Sequence, residues 1–177
     1  RSQHPHRARS NNSVQLIRNQ FTEEEFKKLI ELNTGDNDLG FVFSSHEDDM
    51  YNPCFEIGFN FYEKIKNKNE AVFQFCNLTE INAASSVDKQ GRFSETKFYE
   101  LCRAATIVGT LQASYTEFKY LGSQTEDMVS GEALLGVSVT GWMTRPELFN
   151  PDILQKGADL CKKVNKEVAD IIGINYA

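Results

Sequence analysis

Leu135-Gly136-Val137-Ser138-Val139-Thr140-Gly141 is a continuous, largely apolar run of the kind buried in parallel sheets. It sits between two longer segments whose apolar residues recur at helical spacing. Upstream, Ser94 can cap a helix in which Phe98, Leu101, Ala105, Val108, Leu111, Tyr115 and Phe118 form a single stripe. Downstream, Asn150 is placed to cap a last helix with Pro151 at its first position, where proline is favoured. The stripe of that helix is Ile153, Gly157, Leu160, Val164, Val168 and Ile171. Strands alternating with long helices predict an α/β architecture built from βαβ units.

The first half carries the same signals on a smaller scale. Val14–Ile17 has the alternation of a short strand. Thr22 with Glu25 three residues later makes a capping box. Phe21 and Phe26 occupy the positions of a hydrophobic staple. The helix should run to about Leu32 and stop at Gly35. After a turn-rich loop to Gly40, Phe41–Phe43 is expected to be a buried strand, and Ala71–Phe75 another that delivers Cys76 at its end. Residues 58–70, rich in Lys and Asn, are expected to be a solvated excursion. No internal repeat or low-complexity linker divides the chain, so residues 1–177 are read as one domain or part of one.

Composition narrows the function classes. With 40% hydrophobic and 25% charged residues in a 177-residue chain, a folded domain with a sizeable core is expected. The net charge of −6 provides no basic footprint for gripping nucleic acid. No apolar run approaches the ~18 residues that span a bilayer, so no membrane partner is expected. The chain opens on Arg1 rather than Met, with a basic start and no apolar segment behind it. That start is read as no signal peptide, and the chain as a cut or processed piece that begins mid-protein. Cys54, Cys76, Cys102 and Cys161 are spaced too irregularly for a zinc site. A reduced, cytoplasmic setting is expected.

The chemistry-bearing stretch is Asn52-Pro53-Cys54-Phe55-Glu56-Ile57, followed by Phe75-Cys76-Asn77-Leu78. In an extended segment, side chains at i and i+2 share a face. Asn52, Cys54 and Glu56 are then expected to present an amide, a thiol and a carboxylate together. Such a trio can hold a sugar hydroxyl, attack a C–H bond and take up a proton.

This motif resembles the radical-bearing finger loop of the adenosylcobalamin-dependent (class II) ribonucleotide reductases. Pro53 looks more like class II than like the iron-dependent class I large subunits. The resemblance implies that Cys54 becomes a thiyl radical that takes the 3′ hydrogen of the ribose. It makes Glu56 the base toward the 3′ hydroxyl and Asn52 a hydrogen-bond partner of the sugar, with Pro53 beside it. Cys76, in Phe75-Cys76-Asn77-Leu78-Thr79-Glu80-Ile81, resembles the cysteine that supplies one of two reducing equivalents through a disulfide with an earlier cysteine. Asp38–Phe41, Ala104–Tyr115 and Leu135–Gly141 look like neighbouring family segments, with residues 58–70 as the main departure. Arg7–Ser13, which includes Ser10, resembles the end of the loop that carries effector identity to the substrate.

The fold implied is part of a ten-stranded ribonucleotide-reductase-type α/β barrel with a central finger loop at about residues 50–58. The substrate implied is a ribonucleotide, with the triphosphate preferred, and the cofactor is adenosylcobalamin, bound mainly by other segments. A deoxynucleotide effector, a thioredoxin-like reductant and the remaining segments of the same enzyme are the implied partners. The fragment alone is expected to be inactive. Two other readings compete: a class I large-subunit fragment, and a non-catalytic α/β interaction domain with structural thiols. Cys102 and Cys161, inside the amphipathic helices, are read as core residues. His4, His6 and His46 are read as solvated surface, and Trp142 as core.

Overall fold

The computed structural model describes residues 12–33, 39–52, 54–59 and 72–177. Ser10, Pro53, Gly35, the basic start and most of the 58–70 excursion lie outside them. The chain divides into two compact units, residues 1–63 and 64–177. Both are mixed α/β, and the described residues form three two-stranded sheets and four α-helices. Among these residues no sheet closes into a barrel, and no helix is long and apolar enough to cross a membrane.

The first unit begins with a βαβ element. Strand β1 (Asn12–Ile17) pairs in parallel with β2 (Leu39–Ser44), Val14 opposite Phe41 and Leu16 opposite Phe43. Helix α1 (Glu23–Leu32) connects them, and the expected capping box on Thr22 and Glu25 is formed. Its apolar face is aromatic. Phe26 packs edge-on against Phe41 and Phe43 at 5.5 and 5.7 Å between centroids, and Phe21 lies 6.1 Å from Phe26. The staple therefore fixes both the entry of the helix and its seat on the sheet. Strand β2 was expected to be buried, yet Phe43 is 42% exposed. A two-stranded sheet covered by one helix buries only part of each side chain. The unit closes with a hairpin, β3 (Met50–Tyr51) against β4 (Gly58–Phe59).

The second unit repeats the parallel crossover at larger scale. Strand β5 (Asn77–Asn82) is followed by α2 (Glu95–Ala113) and α3 (Ser123–Glu132). Strand β6 (Leu135–Thr140) then returns in parallel register, Thr79 opposite Val137 and Ile81 opposite Val139. Three short 3₁₀ turns, Ala83–Ser85, Trp142–Thr144 and Pro146–Phe149, flank the long helices. Helix α4 (Pro151–Ile172) has Asn150 as its cap, Pro151 in its first turn, and Gly173 in the left-handed conformation at its end. Ile81, Ala83, Phe98, Cys102, Leu148 and Ile153 form the core, and Trp142 packs against it.

Three expectations need correction here. The strand expected at Ala71–Phe75 is not formed in residues 72–75, and β5 (Asn77–Asn82) begins after Cys76, with Ala71 outside the described residues. In residues 72–76 the polar groups turn to side chains instead of a strand partner. The Phe73 N–H donates to Thr125 Oγ1 (3.2 Å), and the Gln74 amide donates to the Glu132 carboxylate. Strand β6 is parallel as expected, but its residues are half-buried or exposed, again because the sheet has two strands.

The buried face of α2 is also rotated from the expected stripe. Phe98, Cys102, Thr106, Gly109, Thr110 and Ala113 are buried; of the expected stripe Leu101 and Ala105 pack against the core, whereas Val108 is 58% exposed and Tyr115, past the end of α2, 76% exposed. Gly109 lies at the approach of this face to the sheet: a Cβ there would come within 2.2 Å of Leu135 Cδ1, so a side chain would displace that leucine tip. Thr106 and Thr110 tolerate burial because each hydroxyl donates to the carbonyl four residues back at 2.8 Å. Thr110 Oγ1 also accepts from Asn165 Nδ2 of α4 at 3.0 Å. Helix α4 keeps its expected inner face through Ile153, Gly157 and Val164, while Ile171 is exposed. Helix α3 carries no strong apolar stripe and was not anticipated.

Candidate functional site

Asn52, Cys54 and Glu56 lie together in residues 52–57, the connection that closes the β3–β4 hairpin. The extended geometry expected for this segment is absent. The Phe55 N–H donates to the Asn52 carbonyl at 3.0 Å, an i to i+3 turn bond. Phe55 itself has φ of 65°, the left-handed region that a bulky side chain rarely enters. Strand alternation therefore does not decide which way the thiol and the carboxylate face. A turn with one left-handed residue does.

Asn52 holds the loop shut. Its backbone N–H donates to the Ile57 carbonyl (3.3 Å), and its Oδ1 accepts from the Ile57 N–H (3.0 Å). Asn52 is 8% exposed, and its amide bonds within the loop. Cys54 and Glu56 are exposed. The Phe55 ring rests 6.2 Å from that of Tyr51.

A polar chain ties the hairpin to the β1–β2 sheet. The Tyr51 hydroxyl hydrogen-bonds Ser44 Oγ at 3.1 Å. Gln15 Nε2 lies 3.0 Å from Ser44 Oγ, 3.0 Å from the Asp49 carbonyl and 3.3 Å from the His46 carbonyl. Two amide hydrogens thus serve three acceptors. The Asp49 carboxylate accepts from the Ser45 and His46 N–H groups at 3.0 and 3.2 Å, which fixes the approach to β3. Gln15, Ser44 and Tyr51 were not singled out in the sequence. Ser44 is nearly inaccessible at 1% exposure, and a lone Ser at a strand end carries no pattern that announces this. Beside the loop is a cleft of about 330 Å³ bordered by Gln15, Val42, Asp49, Tyr51 and Phe55.

Cys76 falls in the other unit. It is half-buried at the end of the irregular 72–76 stretch, one residue before β5. Its neighbours are well fixed. Phe75 stacks on Phe118 at 4.6 Å, and both Asn77 N–H and Asn77 Nδ2 donate to the Leu134 carbonyl at 3.1 and 2.9 Å. Ser10 and Pro53, expected to contribute to substrate binding, lie outside the described residues.

Cys102 and Cys161, read from sequence as separate core residues, face each other between α2 and α4. The Cys161 thiol donates to the Cys102 backbone carbonyl at 3.9 Å. Cys102 is pushed up from the ordinary thiol value, first by the neighbouring Cys161 thiol and then by burial. Cys161 is lowered because its thiolate accepts from Cys102. Neither residue lies on the apolar stripe read for its helix. Nothing in the sequence showed that the two faces meet at these sulfurs.

Among the described residues no three His, Cys, Asp or Glu side chains are grouped to hold a metal ion. No protein-family model, curated protein or solved structure matches this chain.

Proposed function

We infer that the hairpin at residues 50–58 is the radical-bearing finger loop of a class II ribonucleotide reductase, within a partial catalytic barrel. One observation supports this above others. A thiol and a carboxylate stand exposed two residues apart on a loop whose backbone is pinned by the neighbouring asparagine. The substrate is a ribonucleotide, preferably the triphosphate, reduced at its 2′ carbon in the cytoplasm.

In this reading Cys54 takes the 3′ hydrogen of the ribose and returns it at the end of the cycle. Glu56, exposed beside it, accepts the 3′ hydroxyl proton as the 2′ hydroxyl leaves as water. Asn52 has its Oδ1 engaged by Ile57, so its Nδ2 hydrogens are what it offers a ribose oxygen. Cys76 supplies reducing equivalents, and a thioredoxin-like protein restores them. A deoxynucleotide effector adjusts substrate choice, by the likeness of Arg7–Ser13 to the effector loop. The described residues offer no ligand set for cobalt, and none is assigned to adenosylcobalamin. When bound by the rest of the enzyme, that cofactor supplies the initiating radical.

The test is turnover with the remaining enzyme segments supplied. Cys54→Ser abolishes it, whereas Cys76→Ser leaves hydrogen abstraction but no sustained reduction. Multiple turnover in Cys54→Ser rules the assignment out. Dependence on an added metalloprotein instead of adenosylcobalamin moves the chain to the class I large subunits.

A further inference from the structure

We propose that Cys161 and Cys102 form a hydroperoxide-reactive dithiol site in the second unit, closing to a disulfide that ties α4 to α2. The two residues are 59 positions apart, so the pair exists only because the helices bring it together. Two geometric facts carry the assignment. Cys161 Sγ lies 3.9 Å from the Cys102 carbonyl oxygen. Gly157 permits this approach, since a Cβ there would stand 3.0 Å from Phe98 Cε1 and 3.5 Å from Cys102 Sγ.

Access differs between the two sulfurs. Cys102 is 2% exposed, whereas Cys161 is half-buried. Both border a groove of about 640 Å³, whose other walls include Leu135, Val137, Trp142 and Leu154. A small neutral oxidant such as hydrogen peroxide enters such an apolar groove without losing a charged hydration shell. A charged peptide disulfide does not. Hydrogen bonding favours the thiolate at Cys161, the more accessible sulfur, and thiolate character with access sets susceptibility to oxidation.

The chemistry balances with the peroxide as sole oxidant. The Cys161 sulfur attacks one peroxide oxygen, forming an S–O bond as the O–O bond breaks. The departing hydroxide takes the Cys161 proton and leaves as water. Cys102 Sγ then attacks the Cys161 sulfenic sulfur, so the S–S bond forms and the S–O bond breaks. The hydroxide released takes the Cys102 proton as a second water. Two thiols are oxidised and one peroxide is reduced to two waters.

The experiment treats the full chain with hydrogen peroxide and maps its peptides without reduction. A linked Cys102–Cys161 peptide pair, lighter by about 2 Da for the two hydrogens lost, is expected. In Cys102→Ala the reaction stops one step earlier, and dimedone labels Cys161. Before oxidation, Cys161 alkylates with iodoacetamide at least about tenfold faster than Cys102. The proposal is overturned if Cys161 remains fully alkylatable after peroxide treatment, or if its disulfide forms with Cys54 or Cys76 instead. The wild-type peptide map decides this even if Cys102→Ala fails to fold.

Discussion

Phe55 offers a test of the loop geometry on which the functional reading depends. Replacing it by Gly and by Ala removes the ring contact with Tyr51 in both variants, so that loss cancels in the comparison. What remains is the backbone. At φ of 65° a residue with a Cβ bears a cost of about 1–2 kcal/mol. Glycine escapes it but loses about 0.4–1 kcal/mol through the freedom of its unfolded chain. The difference of about 0–1.6 kcal/mol, centred near about 0.8 kcal/mol, leaves Phe55→Gly ahead of Phe55→Ala, the reverse of their order in ordinary backbone.

Amide hydrogen exchange reads this locally. The N–H groups of Asn52, Ile57 and residue 55 close the loop. Their exchange in Phe55→Ala should run about fourfold faster than in Phe55→Gly, and at most about 15-fold. Slower exchange in the alanine variant would show that residue 55 is not left-handed. The placement of Cys54 and Glu56 on a turned loop would fall with it.

Other outcomes follow from the same coordinates. Leu148, fully buried against the second unit's core, should cost about 2–5 kcal/mol as Leu148→Ala. For a unit of this size that lowers the thermal midpoint by roughly 4 °C per kcal/mol in calorimetry. Asn52→Ala removes the acceptor for the Ile57 N–H and should weaken the loop by about 1 kcal/mol. Asn52→Asp retains an acceptor oxygen and keeps the Ile57 amide protected from exchange. Glu25 is held below the ordinary glutamate value by hydrogen bonds from the Thr22 backbone and hydroxyl. Its folded value is the lower one, so its contribution to α1 is present above the usual glutamate range of ~4.3. That contribution fades as pH falls through the lowered value, and an NMR titration of the Glu25 carboxyl should find a midpoint under ~4.3.

What sequence could show depended on how local the cause was. Thr22, Ser94, Asn150 and Pro151 act on backbone groups within three residues, and each cap stands where it was expected. The first parallel crossover was legible for the same reason, since β1, α1 and β2 each carry their own period, whereas in the second β6 was read but β5 was not. Nor was the face of α2. An apolar stripe through Val108 and Tyr115 seemed the natural inner side, but the face turned inward carries Gly109, at its approach to the sheet, and the self-satisfied hydroxyls of Thr106 and Thr110. What that face packs against lies in the partner elements, which a periodicity count does not see. The stretch before Cys76 failed similarly, because its donors found side chains on α3.

The hairpin is an intermediate case, and the physics of its support explains why. The grouping Asn52, Cys54 and Glu56 was visible as spacing, yet the extended geometry first assigned to it would have fixed the side chains by strand alternation alone. In the folded chain, a left-handed Phe55 sets the turn and Asn52 closes it. Gln15, Ser44 and Tyr51 anchor its base to the sheet. Backbone bonds at the neck and a polar chain at the base hold this loop in place. In Cys54→Ser, loss of turnover with the Asn52 and Ile57 amides still protected from exchange would mark a reactive thiol, and equal losses of both would argue for a structural thiol instead.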